Sequence, residues 1–415
     1  MSKRFSQNPL HLIQAKSNHR IKVSSLMTLV ENHPYKANIE TAFNIYDIGD
    51  EYITIDYIDL VHKQIANVFK KFNRLNIKAN IRNISIVEQL AGIDGINGTP
   101  VKFIFEEFKD ENGDTLNDLE AFAIYDAKAS FLNQYEMAKY ANKLYKEQLF
   151  DLFKYNIEYF KQLAATSKNK DKQRSYRLLE HNGELFVRGI TSVNQYNEYG
   201  VDFAFVVAML SFHKMMKDYP GDNFAISSAA ISASKLEIII ENKFLKEAEG
   251  FGNVSSSTIV TTNDLGNASF RFQNVIRVGV QDSRGVYIFP EAKSDYKKEL
   301  VIKHNTKANN ALQSLKHVKD IIRSVDEFIV DLKGVKGIKT PDELRARILF
   351  KLENRNSLFK DKNEVKMLFK DPIKNTVENF AKLLEMCRKA EELDIDYDLK
   401  DKLRYIISDI ILNKK

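Results

Sequence analysis

FRFQNVIRVGVQDSRGVYIFPEAK, residues 270–293, carries the strongest β signal in the chain. Two apolar, β-branched runs, Val275–Val280 and Val286–Phe289, flank Asp282-Ser283-Arg284-Gly285. The spacing predicts two antiparallel strands joined by a type I turn, with Gly285 in the left-handed conformation that follows such a turn. Working outward, Leu236–Ile240 and Thr258–Thr262 read as strands. Arg177–Leu179 and Leu185–Ile190 read as a hairpin around His181-Asn182-Gly183. A helix from Val201 to about Lys217 puts Phe205, Ala208, Met209, Phe212 and Met216 on one face, and Pro220-Gly221 stops it. Residues 177–305 are therefore expected to form a mainly antiparallel central sheet crossed by one helix.

On the N-terminal side, residues 31–166 read as an α/β region. Glu51–Ile55 alternates like a strand, and Asp56 is placed to cap a helix whose apolar positions Ile58, Val61, Ile65, Val68, Phe69, Phe72 and Leu75 recur every three or four residues. Val101–Phe108 and Leu119–Tyr125 form a second hairpin signal around Asn112-Gly113, and a long helix is expected over 128–163. From Thr306 the pattern turns helical: Ala308, Ala311, Leu315, Val318, Ile322, Val325, Ile329 and Leu332 make a heptad seam. Thr340-Pro341-Asp342-Glu343 is a capping box, with Pro at the first helical position. The chain thus reads as α+β. A basic N-terminal arm (1–30) precedes the α/β region, a basic linker (167–176) leads to the central sheet, and a helical domain (306–415) follows.

Composition narrows the function classes. The 415 residues are 44% hydrophobic and 28% charged, with a net charge of +6, mildly basic. The single cysteine, Cys387, excludes an intramolecular disulfide and a cysteine-based zinc site; it lies on an apolar helical face and reads as core. No stretch approaches ~18 uncharged apolar residues, so no membrane span is expected and a cytoplasmic setting fits. No Gly-rich phosphate loop, Gly-x-Ser-x-Gly or Cys-x-x-Cys occurs.

Three groups of cations point to a polyanion. Lys70, Lys71, Arg74, Lys78 and Arg82 follow one another without an acid. Lys168, Lys170, Lys172, Arg174 and Arg177 are relieved only by Asp171. Lys297 and Lys298 follow the opening hairpin. Such runs can sit on phosphates, and nucleic acid is the expected partner, bound without catalysis. A second reading is an assembly protein that forms homo-oligomers through its helical seam. A third is a nuclease in which Glu291 and Lys293 act with Asp282 around Mg²⁺; otherwise no cofactor is expected. Its geometry is poor: Asp282 sits at the turn and Glu291 at the far end of the returning strand, roughly 20 Å away, with Ile276 expected opposite Glu291. Glu237 or Glu241, on another strand, are the substitutes.

RGITSVNQYNEYG before a helix, followed by FRFQNVIRVGVQDSRGVYIFP, resembles a large phage- and plasmid-borne family of uncharacterised proteins over residues 177–293. The resemblance implies a mobile-element setting and no particular chemistry.

Overall fold

The computed structural model describes residues 4–412 apart from 11, 13–15, 89–100, 135–138, 141–142, 145–146, 167–171, 249–250, 267–268, 282–283, 289–298, 323–339, 355–356, 360, 371–376, 394 and 396. The architecture is α+β, with two β units and a set of C-terminal helices. The N-terminal segment contributes β1 (Asn8–Pro9) and a two-strand ribbon of β2 (Ile21–Lys22) with β3 (Tyr52–Ile53).

A barrel follows, made of β4 (Asn73–Asn80), β5 (Ile84–Glu88), β6 (Val101–Lys109), β7 (Thr115–Ala123), β8 (Gln173–His181) and β9 (Glu184–Ser192). The strand order is β4-β8-β9-β7-β6, and β4 meets β6 again where Lys78 stands opposite Lys109. β5 continues β4 past a single 3-10 turn, Ile81–Asn83, and pairs with β6. All pairs are antiparallel except β7 with β9. Alternation explains the closure: Phe103, Phe105, Tyr176, Leu178 and Val187 point inward and are fully buried, and the helix Ala127–Asn133 adds Phe131 to the same core. The Asn182-Gly183 turn has two positive φ angles, 55° and 78°, as a type I′ hairpin requires.

The second unit is an antiparallel sheet of β1, β10 (Phe224–Ile231), β11 (Lys235–Ala248), β12 (Gly252–Asn263), β13 (Phe270–Gln281), β14 (Arg284–Ile288) and β15 (Glu299–Ile302). β14 and β15 share one edge of β13. The Gly200–Asp218 helix packs on one face and is buried all round from Gly200 to His213, as a helix this apolar must be. Leu236, Ile238 and Ile240 face that helix, while Glu237, Ile239 and Glu241 face the other way.

The barrel is inserted into this second unit. One core joins Val23–Ile65, from before the barrel, to Tyr199–Ile321, from after it. The strands at 177–190 thus belong to the barrel and not to the central sheet. The core does not change at Thr306 either: Ala308, Ala311, Leu312, Leu315, Val318 and Ile321 pack under the central sheet, over two short helices, Ala308–Ser314 and Val318–Ile322, joined by a 3-10 turn. Val325, Ile329 and Leu332 of the expected seam lie outside the described residues.

A separate core unites the later helices, Pro341–Glu353, Asn363–Phe369, Phe380–Glu392 and Tyr397–Leu412, with Val254, Ile276, Val278, Val286 and Ile288 of the sheet. Cys387 is buried there. The capping box forms as read: Glu343 N–H donates to Thr340 Oγ1 at 3.3 Å, and Thr340 N–H to Glu343 Oε2 at 2.9 Å.

Local expectations change in three places. In the opening hairpin Gln281 pairs with Arg284, and Ile288, not Glu291, faces Ile276. Gly285 is a strand residue; the positive φ, 67°, belongs to Gly279 at the irregularity between Val278 and Gln281. A Cβ at Gly285 would meet Arg277 Cγ at 2.7 Å and Val278 O at 3.1 Å, so glycine is set there by close packing and not by the turn. The long helix expected over 128–163 is broken: Ala127–Asn133 and Phe150–Thr166 are separate, with Gln148 left-handed at φ 59°. Asp56 does not cap the helix Ile58–Lys71, which starts after a left-handed Tyr57 without a side-chain cap.

Candidate nucleic-acid interface

The basic residues separate into two groups on the same two strands. The first is buried between the barrel and the central sheet. Arg74, Arg177 and Arg188 reach out from β4, β8 and β9 towards Glu198, Asp202 and Asp264. Arg177 and Arg188 both pair with Glu198, Arg188 lies 3.5 Å from Asp264, and Arg74 lies 3.4 Å from Asp202 and donates to the Ala233 carbonyl at 3.0 Å. Arg177 sits 4.1 Å over the Tyr196 ring, which stacks on His304 at 4.4 Å. Gly200, at φ 75°, donates its N–H to Asp264 at 3.2 Å, and a side chain there would overlap Asp202.

Three guanidinium groups face three carboxylates, so the cluster is close to neutral. Burial pushes the Glu198 carboxyl up, but Arg188 and Arg177 outweigh it and hold the group well below the usual carboxylate range. Burial raises Asp264, and the neighbouring Glu198 charge adds to the rise against the pull of Arg188. Arg177 is only 4% exposed. Arg177, the end of the 168–177 basic run expected to meet a polyanion, is thus buried and paired within the protein. Odd positions of β8 point out of the barrel, and the segment Tyr196–Tyr199 covers that stretch of its outer face.

The second group is at the other end of the same strands. Pairing of β4 with β8 sets Lys78 opposite Ser175 and Asn80 opposite Gln173, so the two basic runs, far apart in sequence, meet on one rim. Lys78 also stands opposite Lys109 on β6. Like charges directly across a strand pair are destabilising. Arg82 and Lys172 are exposed beside them, and Arg174 is half-buried. Lys78, Arg82, Lys109 and Gln173 border a depression of about 120 Å³, with Glu107 as its one acid. Among the described residues no carboxylate forms an ion pair with Lys78, Lys109 or Lys172.

Lys70 and Lys71 are exposed at the end of their helix, where the Lys71 carbonyl meets His181 Nδ1 at 2.8 Å. Strand rise puts them roughly 20–25 Å from the rim. Lys168, Lys170, Lys297, Lys298, Asp282, Glu291 and Lys293 lie outside the described residues. Of the N-terminal arm, Phe5 and Leu12 are buried, Arg4 pairs with Glu184 at 3.3 Å, and Asn8–Pro9 extend the central sheet.

A Glu-x-Lys does come beside an aspartate, at another place. Glu241-Asn242-Lys243 follows the apolar run Ile238–Ile240, and Asp56 bridges Ala225, which pairs with Glu241. That apolar strand ending in Glu-x-Lys was the signal in the sequence. The three residues border a recess of about 290 Å³. Asp56 is held by Lys243 and, at 3.2 Å, by His19; Glu241 is held by Arg277 and Ser255, each at 2.5 Å. Two strand spacings separate Asp56 from Glu241, ~10 Å between Cα atoms. Each carboxylate is thus neutralised within its own pair. Among the described residues no three or more His, Cys, Asp or Glu side chains converge on a point where they could share a metal ion.

No protein-family model, curated protein or solved structure matches the chain. No helix among the described residues is long and apolar enough to cross a membrane.

Proposed function

We propose that the protein binds nucleic acid, without chemistry, through the rim formed by Lys78, Arg82, Lys109, Lys172 and Arg174. The observation that carries this reading is the pairing of Lys78 with Lys109 across β4 and β6. A like-charged cross-strand pair costs stability in the free protein, and a phosphate between the two ammonium groups turns that cost into attraction. The architecture agrees by analogy alone. A five-stranded Greek-key barrel is the frame of OB folds, many of which hold oligonucleotides. In such barrels the ligand lies on the second and third strands. Here those are β6 and β7, whose outer surface carries Glu106 and Asp118 beside Glu120, itself paired with Lys102 at 2.6 Å, an acidic excess that disfavours phosphate. The rim is the surface of this barrel suited to a polyanion. The replication, recombination or defence traffic of a phage or plasmid is the setting that the sequence resemblance implies.

The test is binding of labelled single- and double-stranded DNA and RNA over a range of salt. Replacing Lys78, Lys109 and Lys172 together with Gln removes three phosphate contacts. The slope of log K against log salt should flatten by about 2 to 3, and affinity near 0.1 M salt should fall about a hundredfold. An unchanged slope, or no binding by the parent at low salt, overturns the reading.

A further inference from the structure

A recess independent of the rim lies on the central unit, on the side of the sheet that carries the Gly200–Asp218 helix. It is a cleft of about 750 Å³ between three helical segments: Lys36–Phe43, Gly200–Asp218 and Ala308–Ile322. The floor is apolar, from Met215, Leu312, Leu315 and Val318, all buried. The facing helix lines the cleft with Ala37, Asn38, Thr41, Ala42 and Phe43, and the short side chains of Ala37, Thr41 and Ala42 leave a gap over the floor. Asn38 closes one end by donating to Asn309 at 2.7 Å. At the mouth stand the exposed ammonium groups of Lys214, Lys316 and Lys319, against the single carboxylate of Asp218. A volume of this size, an apolar floor and a few polar groups on the rim are the attributes of a small-molecule site.

We propose that this cleft binds a small apolar anion, of the size and chemistry of a medium-chain fatty acid. The chain lies on the Met215–Leu312–Leu315–Val318 floor, where it removes apolar surface from water. The carboxylate meets Lys214 and Lys319 at the mouth, where a charge-assisted contact adds to burial. The excess of cations over acids at the mouth selects an anion over an alcohol or amine of the same length.

Isothermal titration of the full chain with dodecanoate, kept below its micelle range, tests the site, with dodecan-1-ol as the uncharged comparison. Saturable binding of one dodecanoate per chain is expected, at least tenfold tighter than dodecan-1-ol. Lys214→Glu with Lys319→Glu should weaken dodecanoate at least tenfold and leave dodecan-1-ol within about twofold. Thr41→Leu with Ala42→Leu fills the gap from an exposed helix face, where leucine is a good helix former. It should abolish binding of both while the melting temperature holds. No saturable binding by the parent overturns the proposal. So does a folded Thr41→Leu/Ala42→Leu variant that binds like the parent, and equal affinity for the acid and the alcohol removes its anionic half.

Discussion

Arg74 and Lys78 lie four residues apart on one strand, and Arg177 and Lys172 lie close together at the start of another, yet each pair divides between opposite surroundings. Arg74 and Arg177 enter the buried junction with Arg188, where every guanidinium finds a carboxylate. Lys78, Lys109 and Lys172 collect at the barrel rim, and two of them face each other. A run of cations in a sequence is thus not one feature. Along a strand about 3.3 Å is gained per residue, so four or five residues, roughly 13–17 Å, reach from the interior of an interface to open solvent. What separates the two groups is whether the protein supplies the counter-charge. Where it does, the cation belongs to the fold; where it does not, the cation is free for a partner.

The largest effect expected from this contrast is at the junction. Arg188→Met leaves Glu198 with one partner fewer and Asp264 buried without its guanidinium. Breaking a buried ion pair from one side costs about 3–5 kcal/mol, because the stranded charge cannot recover its water. Denaturant unfolding of the variant measures it. Adding Asp264→Asn to Arg188→Met should recover part of the loss, since the stranded charge is then gone. A single variant that unfolds like the parent would mean that the junction is not a closed, dry cluster, and the contrast with the rim would fail.

Acid sharpens the same contrast. Glu198 is held below its ordinary value of 4.5, so its contribution is complete above about pH 4.5 and is lost as the pH falls towards its folded value. Asp264 is raised above 3.8, so the native state holds that proton more tightly, and its effect runs the other way: stability falls as the pH rises from 3.8 through the folded value. Between pH 5 and pH 3 the parent should lose stability on acidification. Glu198→Gln should be weaker at pH 7 and should lose less over that window. Substituting the rim lysines, which lie outside this cluster, should leave the acid limb of the stability curve in place. Identical acid slopes in the parent and in Glu198→Gln would remove Glu198 from the account.

The sequence is legible wherever a local rule decides. The capping box at Thr340, the Asn182-Gly183 turn and the existence of the Gly200–Asp218 helix follow from neighbouring residues alone. It is not legible where partners come from afar. Nothing in Arg177 announces Glu198 on the covering segment, and nothing in Lys78 announces Lys109 across β6. The barrel is hidden for the same reason: its strands are split by helices, its one parallel pair joins β7 to β9 across an intervening hairpin partner, and its core residues read like those of any sheet. The Glu-x-Lys at Glu241 shows the limit from the other side. The pattern is visible in the chain, but only the partners around it, Arg277 on Glu241 and Lys243 on Asp56, reveal carboxylates already neutralised.

The smallest effect expected is the one that tells the two groups of cations apart most directly. Lys78 faces Lys109 with no carboxylate paired to either among the described residues. If the rim served the fold, removing one of these charges would cost stability, as at the junction. If the rim is held for an anion, the pair is a standing repulsion in the free protein. Lys78→Gln then relieves it while keeping most of the side chain's length and its hydrogen-bonding capacity. A cross-strand charge pair is worth roughly 0.2–1 kcal/mol, and solvent screening at this partly exposed site puts the gain at the lower end. Lys78→Gln should therefore leave the protein as stable as the parent or a few tenths of a kcal/mol more stable, with the gain largest at low salt, while nucleic-acid affinity falls. Lys109→Gln should behave alike, and the double variant should gain no more than either alone, because one substitution already ends the repulsion. Paired denaturation curves at low and high salt resolve the difference. A loss of a full kcal/mol in either variant would place the rim lysines with Arg177, as cations that the fold requires.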